Sequence, residues 1–287
     1  MALTLRPLRP EDIPFGMTLK DQAGWNQTEE DWRSLLSFRP DGCFLALHEG
    51  APAGTVTTID HAGAFGWVGM LLVRHDLRRL GIGRALLRRS VASLAHLPAV
   101  KLDATPLGEG LYRSEGFEAE AVIERRVRAG SPSPRSGEHG RGLPRPRPMV
   151  PADLQRAADL DTPGFGARRE AILDAWCRSL PGSSLVIEET GGIRGFVIAR
   201  RGSRAIHIGP LVADGADAAM ALLGAVLDRM GSEDLILGTM IRDPAWMQFL
   251  DAEGFRGERI LTRMRLGLPS TAPRPSLLWA SAGPEVG

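Results

Sequence analysis

Apolar and polar residues alternate in some stretches of the chain and recur with helical spacing in others. In the first half this pattern predicts the order β-α-α-β-β-β-α-β-α-β, which is an α/β arrangement built on a mixed sheet. The predicted strands cover residues 3–8, 43–47, 54–59, 67–73, 100–103 and 119–127, and the predicted helices begin near residues 11, 28, 81 and 105.

The second half repeats this plan in weaker form, with two helices, a hairpin, a strand, a helix from Ala218, a further strand and a last helix ending at Glu253. Residues 276–282 alternate enough to form a final strand, which we expect to pair with an open sheet edge. Between the halves, the composition shifts to Ser, Pro, Gly and Arg, which is typical of a flexible linker. We therefore predict two tandem domains, 1–129 and 149–287, joined by a linker over 130–148.

Composition narrows the class of protein. The chain has 35 basic and 34 acidic residues, so charge gives no reason to expect nucleic acid or an anionic membrane as the main partner. No apolar run is long enough for a membrane span, and the first ten residues lack a signal-peptide core. The two cysteines and six histidines show no metal or redox spacing. We expect a cytoplasmic protein without a metal, and a homodimer is left open.

One stretch, Met70–Ala85, carries the pattern of an anion site. A buried strand ends at Val73, a basic turn follows, and a helix begins at Gly81. The first amides of a helix lack helical partners and sit at the positive end of its dipole, so they attract phosphate. Gly81 and Gly83 leave those amides uncovered. Further positive charge comes from Arg78, Arg79 and Arg84, so we predict a phosphate-bearing cofactor.

Two familiar phosphate motifs do not fit this stretch. The chain contains no Walker sequence, and the dinucleotide fingerprint lacks its third glycine, because Leu86 stands there. The sequence Arg78-Arg79-Leu80-Gly81-Ile82-Gly83 instead matches Arg/Gln-x-x-Gly-x-Gly/Ala, and Leu111-Tyr112-Arg113-Ser114-Glu115-Gly116-Phe117 follows downstream. In these two segments the chain resembles the GNAT superfamily of acetyl-CoA-dependent N-acyltransferases. A bacterial tandem group within it is similar in other segments, which are Gly24-Trp25-Asn26-Gln27-Thr28, Leu102-Asp103-Ala104-Thr105-Pro106 and, in the second half, Asp161, Phe165, Gly166 and Arg169 with Gly209-Pro210.

The resemblance implies acetyl-CoA as the cofactor and the acyl-CoA N-acyltransferase fold in both halves. The pantetheine arm of acetyl-CoA would pair with the strand that carries Leu71, Leu72 and Val73. To make room for the arm, this strand must splay from the strand at Val100, usually by a bulge. A backbone N–H near Leu71 or Leu72 would polarise the thioester carbonyl. The residues expected to hold the diphosphate are Arg78, Arg79, Leu80, Gly81, Ile82, Gly83, Arg84 and Ala85.

Tyr112 is the only tyrosine of the chain and lies on a short helix capped by Thr105. A phenol with a reference pKa near ~10 can hydrogen-bond to and protonate a departing thiolate, whose reference pKa is ~8.5. The alternative is a plain core aromatic. The candidates for the base are Asp103, His61 and His75, and the sequence does not choose among them; Asp103 could equally cap or orient the next helix.

For the acceptor side we predict Trp25, Asn26 and Trp32, although both tryptophans could belong to the core. The second half carries Asp214-Gly215-Ala216-Asp217 where the first has its basic turn, and acids at a helix start repel phosphate. Leu250 stands in the place of Tyr112 there. We therefore predict that the second domain is a degenerate copy that has lost cofactor binding and chemistry.

Three functions are compatible with these residues. The leading one is transfer of an acetyl group from acetyl-CoA to a primary amine of a small molecule, by direct attack in a ternary complex, because no activated Cys or Ser nucleophile is visible. The alternatives are a sensor that binds acyl-CoA and a metabolite without turnover, and a protein or peptide N-acetyltransferase.

Overall fold

A computed structural model describes residues 2–130, 142–189, 191–240, 243–269 and 272–287, and the chain divides into two compact units. Unit 1 consists of Met1–Glu120, Thr262–Pro269 and Pro284–Gly287, and unit 2 consists of Ala121–Leu261 and Ser270–Gly283. The helices are α1 (Ile13–Gln22), α2 (Glu29–Phe38), α3 (Ile82–Ser93), α4 (Pro106–Ser114), α5 (Leu154–Phe165), α6 (Glu170–Ser179), α7 (Ala216–Met230) and α8 (Pro244–Ala252).

In the first half the strands alternate with these helices in the order that the apolar pattern predicts, and the second half adds two strands that were not predicted, Arg147–Pro148 and Arg256–Gly267. The strands are β1 (Leu3–Pro7), β2 (Phe44–His48), β3 (Ala51–His61), β4 (Phe65–Val73), β5 (Ala99–Ala104), β6 (Glu118–Arg128), β7 (Arg147–Pro148), β8 (Leu185–Glu189), β9 (Gly192–Arg200), β10 (Ile206–Ala213), β11 (Leu235–Thr239), β12 (Arg256–Gly267) and β13 (Leu278–Ala280). The predicted α/β fold with a mixed sheet is confirmed.

In unit 1 the strands lie in the order β1-β2-β3-β4-β5-β12, and β4 and β5 form the parallel pair. The apolar face of α3 packs against this sheet through Ile82, Leu86 and Leu87. Local capping explains where the helices begin: the Thr28 hydroxyl accepts a hydrogen bond from the Asp31 amide, and α4 begins after Thr105 in the same way.

In unit 2 the strands lie in the order β6-β11-β13-β10-β9-β8-β7. Helix α7 supplies most of the core on one side, since eight of its residues are buried. The final strand is present as predicted, but its place differs from the expected open edge. Strand β13 lies inside the sheet, with Ala280 opposite both Leu211 of β10 and Thr239 of β11. A central place satisfies the backbone groups of β13 on both sides.

The compact units differ from the boundaries expected from sequence. Most of β6 belongs to unit 2, where it pairs with β11, while the last six residues of β12 pair with β5 in unit 1. Of the expected linker, residues 131–141 lie outside the described residues. Its end is structured, because β7 pairs with β8 and the Arg147 guanidinium donates two hydrogen bonds, of 2.6 and 2.9 Å, to the Asp153 carboxylate.

Candidate active site

Strand β4 separates from β5 in the middle of unit 1. The two strands pair at Gly66 with Val100 and at Trp67 with Lys101, and no later pair is found among the described residues of these strands. Further along β4, the register against β3 shifts at Met70, whose φ is +47°, and the Thr55 hydroxyl donates a 3.0 Å hydrogen bond to the Met70 carbonyl. The predicted splay and bulge are both present, and they leave one backbone edge of Leu71–Val73 without a β5 partner.

Helix α3 begins beside this open edge. Gly81 is its N-cap residue, with φ at +81°, and the amide of Ala85 makes the first helical bond, to the Gly81 carbonyl. The amides of Ile82, Gly83 and Arg84 therefore precede the helical hydrogen-bond ladder. An ideal Cβ placed on Gly81 would meet no atom within 4 Å, so the approach to these amides is open. The local geometry is that of an anion-binding helix start.

The arginines around this helix start differ in whether an acidic side chain neutralises them. Arg78, Arg79 and Leu80 are exposed, and neither arginine makes an ion pair with a described residue. Arg84 instead lies 2.9 Å from the Glu115 carboxylate, which also binds Arg88. The positive charge that remains uncompensated at the site therefore comes from Arg78 and Arg79.

Strand β4, helix α3 and helix α4 converge at Gly83. An ideal Cβ on Gly83 would lie 3.6 Å from Val73, 3.7 Å from Leu111 and 3.8 Å from Leu71, all measured to side-chain carbons. Leu111 directly precedes Tyr112, so the tyrosine helix reaches the splayed strand at the same point as the helix start. The residues predicted for cofactor binding thus lie on two adjoining elements and next to a third.

Tyr112 is 9% exposed, and its ring meets that of Phe117 edge to face with centroids 6.0 Å apart. No hydrogen bond of its hydroxyl to a described residue is found. Burial raises the pKa of Tyr112 to about 12, because the phenolate loses solvation. The side chain is consequently a neutral hydrogen-bond donor across the physiological pH range.

Asp103 occupies a different setting from the one predicted for a base. Its carboxylate accepts two hydrogen bonds from the Arg263 guanidinium, at 2.8 and 2.9 Å, and its side chain is 1% exposed. Arg263 also lies over the Trp67 ring, at 4.8 Å from the centroid. This bidentate pair fastens β12 to β5 and favours a structural role for Asp103. His75 lies exposed in the turn after β4.

The residues predicted for the acceptor side separate into core and loop. Trp32 is fully buried, with its ring 2.9 Å from the position of an ideal Cβ on Gly16, so it packs in the core between α1 and α2. Trp25 is partly exposed and Asn26 is buried in the loop between these helices. These assignments stay predictions.

Sequence reasoning missed a buried segment of unit 1, Pro284–Gly287. The Trp67 indole donates a 3.0 Å hydrogen bond to the Pro284 carbonyl, and His61 Nε2 lies 3.1 Å from the Val286 carbonyl. The Gln27 side-chain amide donates to the Glu285 carboxylate at 2.7 Å. Because 258 residues separate Gln27 from Glu285, no local pattern could have indicated this contact.

Unit 2 has a similar order of helices and strands, but an additional strand lies in the middle of its sheet. Strands β10 and β11 pair in parallel from Ile206 to Ile208, and β13 then lies between them, where β4 and β5 of unit 1 diverge. Its helix α7 begins after Gly215 with Asp217 in the first turn, and Leu250 is buried. Between α5 and α6, buried Arg169 pairs with Asp161 and stacks on Phe165, so these three residues belong to the core of unit 2.

The described residues contain no group of three or more His, Cys, Asp or Glu side chains placed to hold a metal ion. Within the same residues, no helix has the length and apolar character needed to cross a membrane.

Comparison with known families and structures agrees with this geometry. The profile described as "Acetyltransferase (GNAT) family" matches residues 12–117, and the profile described as "Acetyltransferase (GNAT) domain" matches residues 157–280. No match was found among curated proteins.

Solved structures with the same fold include a Pyrococcus horikoshii protein reported as a candidate acetyltransferase, with 22% identity, a TM-score of 0.81, and 99% of this chain and 96% of that chain covered. A GCN5-related N-acetyltransferase from Sphaerobacter thermophilus shares 18% identity, with a TM-score of 0.67 and coverage of 93% and 97%. A tandem GNAT protein from the clavulanic acid biosynthesis pathway shares 15%, with a TM-score of 0.61 and coverage of 94% and 100%. The chain belongs to the GNAT family of N-acetyltransferases and carries two GNAT domains in tandem.

Proposed function

We propose that unit 1 transfers the acetyl group of acetyl-CoA to a primary amine of a small molecule. The observation that supports this most directly is the convergence at Gly83 of an open helix start, the splayed end of β4 and the helix that carries Tyr112. A phosphate-bearing acyl donor needs an anion site, an extended backbone edge and a proton donor near its reactive end. The open helix start, the free edge of β4 and Tyr112 on α4 support these three roles.

The residues fit the cofactor by their chemistry. The amides from Arg79 to Arg84 would hold the diphosphate, with the side chains of Arg78 and Arg79 adding charge. The free backbone edge of Leu71–Val73 would pair with the peptide-like arm as an added strand. When bound, acetyl-CoA supplies an activated acetyl thioester. A backbone N–H beside the bulge, near Leu71 or Leu72, would stabilise the negative charge that grows on the carbonyl oxygen.

Tyr112 would act on the sulfur side of the reaction. Its raised pKa, about 12, disfavours a lone phenolate, so the hydroxyl keeps its proton while it hydrogen-bonds to the developing thiolate. Full transfer of that proton becomes favourable when a proton leaving the attacking nitrogen replaces it. Burial thus fits Tyr112 to be a donor and makes it unsuitable as a base.

Neither cysteine is suited to act as a nucleophile, which supports direct attack by the amine. Cys43 is buried, and burial raises the pKa of its thiol to about 11, so little nucleophilic thiolate exists near neutral pH. Burial also raises the pKa of Cys177, which lies in unit 2. A ternary complex in which the amine attacks the thioester needs neither residue.

Release of free thiol from acetyl-CoA, followed over a panel of amines, tests this proposal. We expect turnover with at least one small primary amine and a loss of about 10²-fold or more in Tyr112→Phe. Tight binding of coenzyme A without turnover on any amine would favour the sensor alternative. Turnover confined to peptide amines would favour the protein N-acetyltransferase.

A further inference from the structure

The buried segment Pro284–Gly287 lies along one face of β4. Trp67 and Gly69 are two residues apart and therefore face the same side of the strand. The Trp67 indole binds the Pro284 carbonyl, and an ideal Cβ on Gly69 would lie 2.5 Å from the Glu285 carbonyl oxygen. Only glycine at position 69 allows this close approach. The segment is therefore seated one residue before the bulge at Met70.

Three acceptor groups lie on this face or contact the segment seated there. The Glu285 side chain is buried with the residue 1% exposed, and the Gln27 amide group holds it at 2.7 Å. The oxygen of the same amide, Gln27 Oε1, is buried and has no hydrogen-bond partner among the described residues. Thr57 stands directly opposite Gly69 on β3, and its hydroxyl is likewise buried without such a partner.

A buried polar atom without a partner has lost the hydrogen bonds that water would make to it, so two such atoms beside a buried carboxylate indicate a site built for a donor ligand. A primary ammonium carries one positive charge and three N–H donors. Glu285, Gln27 Oε1 and Thr57 Oγ1 are an anion and two neutral acceptors, which match that group in charge and in number of bonds.

We infer that Glu285, with Gln27 and Thr57, binds the ammonium group of the acceptor and that the Glu285 carboxylate takes its first proton. This rests on the proposed function, because it names the acceptor as a primary amine that is protonated at neutral pH. Only after that proton is lost does nitrogen have a lone pair to form the new C–N bond as the C–S bond breaks. Tyr112 gives its proton to the departing sulfur and regains one from nitrogen, and Glu285 returns its proton to water.

Glu285→Gln tests this inference with little structural change, because glutamine keeps an oxygen for the Gln27 amide. Glu30→Gln is the matched control, since Glu30 is exposed and lies three residues from Gln27. The probes are butylamine, putrescine and tyramine, with butanol as the uncharged comparison, and calorimetry measures their binding without acetyl-CoA. We expect Glu285→Gln to weaken amine binding at least tenfold, to leave coenzyme A binding unchanged, and to lower kcat/KM for the amine by about 10²-fold or more.

The outcomes separate this inference from the proposed function. Amine binding that depends on Glu285 without any turnover would support the ammonium site and contradict acetyl transfer. Turnover that Glu285→Gln leaves within threefold of the parent, or the absence of amine binding in the parent chain, would overturn the ammonium site. Gly69→Ala gives a second readout: we expect it to weaken amine binding by displacing the Glu285 carbonyl, and unchanged binding would contradict the placement of the segment.

Discussion

Arg263 holds the Asp103 carboxylate through two parallel hydrogen bonds of 2.8 and 2.9 Å, with both side chains less than 10% exposed. A carboxylate whose two oxygens both accept hydrogen bonds from one guanidinium is poorly placed to accept a substrate proton. The pair instead joins the end of β12 to β5, the strand that diverges from β4 at the candidate site.

Replacing Asp103 by Asn should therefore destabilise unit 1, because a buried guanidinium loses its carboxylate partner. We expect a loss of about 3 kcal/mol in the free energy of unfolding, measured by urea denaturation. Glu118→Gln is the matched control, since it removes an exposed partner of Arg265 on the same strand and should cost less than about 1 kcal/mol. A stable Asp103→Asn variant that has lost turnover would instead identify Asp103 as the base.

The helix start at Gly81 should be sensitive to negative charge. In Gly83→Asp, a carboxylate stands among the amides proposed to hold the diphosphate, and we expect coenzyme A to bind at least tenfold more weakly, as measured by calorimetry. Gly110→Asp introduces the same side chain on α4, where an ideal Cβ would meet no atom within 4 Å. Equal affinities in the two variants would contradict the assignment of the diphosphate to α3.

The central position of β13 predicts the binding stoichiometry. In unit 2 the gap between β10 and β11 already holds a strand of the chain itself, so a pantetheine arm has no backbone edge to join. We expect one molecule of coenzyme A to bind per chain in equilibrium titration. Two sites per chain would show that unit 2 has kept its cofactor site.

The ion pair between Arg147 and Asp153 predicts how the free energy of unfolding depends on pH. Hydrogen bonds from Arg147 hold the pKa of Asp153 well below its usual range, even though burial acts in the opposite direction. The stabilisation is complete above the unfolded pKa, near ~3.9, and is lost as pH falls below it. Asp153→Asn should thus lower the free energy of unfolding at pH 7, and its difference from the parent should shrink toward pH 3. A difference that does not vary with pH would contradict this role.

The sequence predicted those parts of the molecule that depend on neighbouring residues. Strand β4, the turn with its glycines, and helix α3 follow from apolar spacing and from the backbone freedom of Gly81, so their positions could be read in order along the chain. The cap at Thr105 and the left-handed Gly116 that follows α4 were predictable for the same reason.

Contacts between distant residues could not be predicted in this way. A strand's pattern reports that it has an apolar face but not which strand it will pair with. For this reason β12 could not be assigned to β5, nor β13 to the centre of a sheet. The contact between Gln27 and Glu285 leaves no periodic pattern in the sequence. The ion pair between Asp103 and Arg263 could not be predicted for the same reason, because these residues are 160 positions apart in the chain.

We propose that unit 1 holds acetyl-CoA at the start of α3 and directs its thioester toward Tyr112. A crystal structure of the chain with coenzyme A measures this directly. We predict the diphosphate on the amides from Arg79 to Arg84, the pantetheine arm along Leu71–Val73, and the sulfur within hydrogen-bond reach of the Tyr112 hydroxyl. Coenzyme A bound elsewhere, or with its sulfur far from Tyr112, would contradict the account.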